Sequence, residues 1–102
     1  MAKVVSLQAR PGKAQALDKA LSDAQVAAAA EPGTVAWEWF PAVESGCRVI
    51  IELYADDEAT AAHDASPAVA LLLDRFADVL ATEPDVQIYT RVRDAIYEEE
   101  CR

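Results

Sequence analysis

Histidine occurs once in these 102 residues, cysteine twice and glycine three times, and each scarcity removes a class of chemistry. A lone histidine, with Cys47 and Cys101 far apart, offers no metal-ligand spacing of the zinc kind. The glycines form no phosphate-binding loop, dinucleotide fingerprint or nucleophile elbow. Basic residues number 9 against 18 acidic ones, a formal charge of −9. A chain so acidic repels nucleic acid and anionic membrane surfaces, which argues against both as partners. No apolar run approaches the ~20 residues that span a bilayer. Met1 leads straight into strand-like sequence with no signal peptide, so a cytoplasmic location is expected. Both cysteines are then expected as free thiols.

What the chain does have is apolar residues, 53% of the total, many of them alanine. The length suits one domain, taken as residues 1–95, followed by an acidic tail, 96–102. Val4 to Ala9 reads as a strand ended by the turn signal Arg10-Pro11-Gly12. Lys13 to Ala30 reads as a helix, with Leu17, Leu21, Ala24 and Ala28 recurring at spacings of three and four. Glu31-Pro32-Gly33 stops it. Thr34 to Phe40 reads as a second strand, with Val35, Trp37 and Trp39 on one face. A polar connector leads to a third strand, Arg48 to Tyr54.

The acidic run Asp56-Asp57-Glu58 then opens a short helix carrying His63. Ser66-Pro67 starts another, to about Ala81, with Val69, Leu72, Leu73, Phe76 and Leu80 in one stripe. Val86 to Val92 completes the order as a fourth strand. Strand, helix, strand, strand, helix, strand is the split βαβ arrangement, an α+β, ferredoxin-like fold with a four-stranded antiparallel sheet. Val49-Ile50-Ile51 and Trp37 to Phe40 put apolar groups on both sheet faces, whereas helices cover one. A second sheet from another copy of the chain is therefore expected, a homodimer.

His63 has two readings from the residues alone: a base with an ordinary pKa near ~6.5, or a packing residue at a helix end. Trp37, Trp39, Tyr54 and Phe76 form either plain core or the walls of an aromatic cavity. Arg48, Glu52 and Arg91 fall inside predicted strands, where a charge needs a partner, and Glu52 is expected to pair with one of the arginines. Arg91 is also a candidate for stabilising a phenolate.

Pro11-Gly12-Lys13, Glu31-Pro32-Gly33, Glu52-Leu53-Tyr54-Ala55-Asp56, Ala62-His63 and Ser66-Pro67, in that order, resemble the antibiotic biosynthesis monooxygenase (ABM) domain over Val4 to Val92. The resemblance implies a dimeric α+β barrel of two face-to-face sheets. It also implies a small aromatic or hydroquinone-like substrate, oxidised without flavin, metal or haem. His63 stands where the family pattern places a histidine, which favours the base. Tyr54 stands where tryptophan is usual. No histidine lies in Pro67 to Ala81, where haem-degrading relatives carry theirs. The expectation is a cofactor-independent monooxygenase, with His63, Tyr54 and Arg91 as catalytic candidates and Trp37, Trp39 and Phe76 contacting substrate. The alternatives are a non-catalytic small-molecule binder, a structural dimer, or an isomerase-type relative.

Overall fold

A computed structural model describes residues 1–90. The elements run β1 (Ala2–Gln8), α1 (Ala14–Ala29), β2 (Thr34–Pro41), β3 (Cys47–Tyr54), α2 (Asp57–Asp64), α3 (Pro67–Val79) and β4 (Asp85–Tyr89). The strands form one sheet in the order β2-β3-β1-β4, with every neighbouring pair antiparallel. Each crossover therefore steps over one strand, the ferredoxin-like topology. Arg91, Val92, the tail 96–102 and Cys101 lie outside the described residues.

Local chemistry sets the ends of the elements. Lys13 N–H donates to Arg10 O at 2.9 Å, closing a turn in which Gly12 takes φ of 79°, a left-handed value that suits glycine. Asp56 caps α2 by accepting from Ala59 N–H at 2.8 Å, and Ser66 caps α3 by accepting from Val69 N–H at 3.3 Å. The start of β2 runs so close to α2 that a Cβ at Gly33 would collide with the Cβ of Ala59 and sit 3.2 Å from its Cα. Gly33→Ala must push α2 away, at a cost of about 1–3 kcal/mol. Thermal unfolding checks this, since each kcal/mol lowers Tm by about 4–8 °C in a domain of this size.

The helices pack on one face of the sheet. Leu17, Ala20, Leu21 and Ala28 of α1 and Leu72, Phe76 and Val79 of α3 meet Val5, Leu7, Trp37 and Ile50 in a single core. Arg48 ties β3 to α1 by donating twice to Asp18, from Nε at 2.6 Å and Nη2 at 3.2 Å. That carboxylate holds the guanidinium pKa above its usual range, so the buried charge stays compensated. Arg48 is thus paired within the fold, and Glu52 is not its partner.

Two side-chain placements and one helix end differ from the sequence reading. A register shift between Thr34 and Ala36 turns Val35 outward, to 60% exposure, away from the face of Trp37 and Trp39. Leu73 is exposed, so the buried stripe of α3 is Leu72, Phe76 and Val79. The helix also ends at Val79, because Arg10 N–H donates to Val79 O and Ala81 N–H to Gln8 O, which pulls Leu80 into a bridge with Ala9.

Candidate active site

Alternation along β3 sends Arg48, Ile50, Glu52 and Tyr54 to the helix side, where all four are buried. Glu52 sits directly across from Trp37 of β2 on one side and Lys3 of β1 on the other. α2 crosses above the end of this row and lowers His63 onto it. A cavity of about 160 Å³ opens between the sheet and the helices, with Trp37, Ile50, Glu52, His63, Leu72 and Phe76 among its buried lining.

His63 is gripped from outside the cavity. Its Nδ1 lies 2.7 Å from Glu31 Oε1, and the Thr34 hydroxyl donates to the same oxygen at 2.8 Å. A carboxylate only accepts, so Nδ1 carries a proton, and whenever the imidazole is neutral Nε2 is its ring acceptor. Nε2 lies 3.7 Å from Glu52 Oε1, beyond hydrogen-bond range, which leaves its lone pair uncommitted. Glu31 is not a cavity residue, whereas Glu52 and His63 both are, so the free nitrogen is the one on the cavity side.

Tyr54 is fully buried, 5.1 Å from the His63 ring by centroids, and its hydroxyl donates to Glu52. Burial first, and then that hydrogen bond, drive its pKa well above the ordinary tyrosine value. Lys3 Nζ lies 5.7 Å from the Tyr54 ring centroid and pairs with Asp64 at 2.7 Å, placing a cation at the cavity margin.

The shifted Tyr54 makes a pH prediction. The unfolded phenol ionises near pH ~10 and the folded one well above it, so the native state holds the extra proton. Stability from this group is complete below pH ~10 and declines above it, by about 1.4 kcal/mol per pH unit. Absorbance titration checks the point: native Tyr54→Phe and the parent protein should give superimposable phenolate curves to pH ~11. Curves that differ by one phenol in the native state would contradict it.

The predicted residues are thus partly assembled. His63, Trp37 and Phe76 line the cavity; Tyr54 reaches it through Glu52; Trp39 is half-buried against the core and is not a lining residue. Arg91 is outside the described residues. Glu31, Glu52 and Lys3 join the site although the sequence reading does not name them as site residues. Among the described residues no group of histidine, cysteine and carboxylate side chains forms a metal cluster, and no helix is long and apolar enough to cross a membrane. Cys47 is an exposed free thiol.

Fold and cavity together define a small α+β protein with a ring-sized, imidazole-bearing pocket between its sheet and its helices. The chain belongs to the antibiotic biosynthesis monooxygenase family, whose model matches residues 1–75. Among solved structures, the Rv0793 protein of Mycobacterium tuberculosis is 21% identical, with a TM-score of 0.84 over 89% of this chain and 93% of its own. A Nitrosomonas europaea protein provisionally named an antibiotic biosynthesis monooxygenase is 21% identical, with a TM-score of 0.82 over 89% of this chain and 97% of its own. Another protein of that organism, NE2512, of unknown function, is 31% identical over 84% of this chain and 82% of its own, with a TM-score of 0.76. The curated proteins contain no match.

Proposed function

We propose that this protein is a cofactor-independent monooxygenase of a small phenol or hydroquinone, with His63 as its base. The observation that carries the reading is the Glu31–His63 contact at 2.7 Å, which orients an imidazole so that its free Nε2 faces a cavity of ring size. Such a dyad suits general base catalysis, in which geometry precedes pKa.

In the proposed step Nε2 takes the phenolic proton. The imidazolium so formed lies between two carboxylates, Glu31 at 2.7 Å and Glu52 at 3.7 Å. The phenolate gives one electron to dioxygen, and the radical pair recombines as a C–O bond at a ring carbon. The imidazolium returns its proton to the peroxide. Loss of that carbon's hydrogen with the terminal hydroxide releases water and leaves a second C=O. Phenol plus dioxygen thus becomes quinone plus water; both oxidising equivalents come from dioxygen and all electrons from the ring. Trp37 and Phe76 hold the ring and exclude solvent.

Oxygen uptake with a panel of one-ring phenols tests the reading. Consumption above the spontaneous rate, with one labelled oxygen atom from dioxygen in each quinone, is the expected result. Saturable anaerobic binding without uptake for every compound would instead make the protein a binder of small aromatics.

A further inference from the structure

α2 is held over the site differently from the other two helices. Its apolar side chains are only Ala59, Ala61 and Ala62, and among the described residues the apolar core includes none of α2. α1 buries Leu17 and Leu21 in that core, and α3 buries Leu72, Phe76 and Val79. A segment with so little apolar burial is the kind that opens locally while the core stays closed.

The two ends of α2 are anchored unequally. At its start Ala55 N–H donates to Gly33 O at 2.9 Å, Asp56 caps the first turn, and Ala59 lies against Gly33. At its other end the ties to the rest of the fold are side-chain pairs, His63 with Glu31 and Asp64 with Lys3, each at 2.7 Å. Lys3, His63 and Asp64 all line the cavity, so the Lys3–Asp64 pair joins β1 to the end of α2 across the cavity's rim. Asp64 also stands against its helix's own preference, because a carboxylate in the last turn meets the negative end of the dipole. The contact that offsets this is with a lysine 61 positions away, not with a neighbour on the helix.

We infer that α2 is a clasp over the cavity: it swings out and back from its pinned start, carrying His63, and the Lys3–Asp64 pair is its latch. Docking of α2 in this way is independent of what the cavity binds or whether the protein is an oxygenase.

Amide hydrogen exchange of the ligand-free protein at constant pH reads the latch directly. The amides of Ala61 to Ala65 should exchange through an opening that leaves Leu17 to Ala28 of α1 and Leu72 to Val79 of α3 protected. The Asp64 side chain is half exposed, so salt reaches the pair, and in about 1 M sodium chloride the screening length is only ~3 Å. Exchange in α2 should then rise by about 2–5-fold over low salt, with no matching rise in α1 or α3.

Asp64→Asn separates the latch from the helix itself. Removing a carboxylate from the last turn should firm an independent helix, whereas losing the latch should loosen α2. The expected result is exchange about 2–5-fold faster than in the parent at low salt, with most of the response to salt gone. Slower or unaltered α2 exchange in Asp64→Asn would overturn the latch, as would a parent α2 indifferent to salt. Amides of α2 that exchange only together with those of α3 would overturn the clasp, because α2 would then open with the whole fold. The parent's salt series decides the matter alone if Asp64→Asn does not fold.

Discussion

Replacing His63 with alanine is expected to lower oxygen uptake by about 10²–10⁴-fold while leaving anaerobic affinity for hydroquinone largely unchanged. The base acts only as the phenolic proton leaves, so its loss should fall on turnover rather than on binding. Glu31→Gln should lower turnover less. The amide oxygen still accepts from Nδ1–H, so the ring keeps its orientation and loses only a charged partner. Tyr54 is a poor substitute base, because its burial keeps the phenol protonated. If turnover in His63→Ala matches the parent, histidine leaves the mechanism, and Arg91 is the remaining candidate.

The fold is legible in the sequence because its signals are local. Pro11-Gly12, Asp56 and Ser66-Pro67 each satisfy or bend backbone within four residues of themselves, and each does so in the structure as the sequence implies. The site is less local. Glu31 looks like part of a helix stop, and only the docking of α2 brings His63, 32 positions later, to its carboxylate. Glu52 reads as an arginine's partner because its strand carries Arg48, yet Asp18 reaches that arginine first from α1. The signal that could find Glu52 is the alternation itself, which puts Glu52 and Tyr54 on one face. Val35 is misplaced by the sequence reading for a complementary reason. Alternation holds only while the register holds, and the shift at Thr34/Ala36 breaks it directly after Pro32-Gly33, a pair that reads as the stop of the preceding helix and not as the mark of a bulge.

Ile51→Glu is expected to convert a sheet-to-sheet homodimer into monomers. The face of the sheet opposite the helices carries Phe40, Ile51 and Leu53 at 47%, 44% and 37% exposure, on the two strands where apolar groups alternate to both sides. Four strands spaced ~4.8 Å apart and ~25 Å long present a plane of roughly 500 Å². Two such planes bury about 1,000 Å², near the lower bound for a specific interface. An interface that close to the bound has little to spare at its centre. Ile51 is on β3, an inner strand, and its cross-strand neighbour is Glu38, so a glutamate there gains a like-charged neighbour. Two-fold symmetry applies every substitution twice. At about 2 kcal/mol or more for each interfacial isoleucine replaced, the dissociation constant should rise by about 10²–10⁴-fold. Sedimentation at micromolar concentration should give twice the chain mass for the parent and a single chain mass for Ile51→Glu, with circular dichroism unchanged between them. A parent protein that sediments as a monomer would end the barrel reading and leave the apolar face to a different partner. A variant that stays dimeric would move the interface off this face.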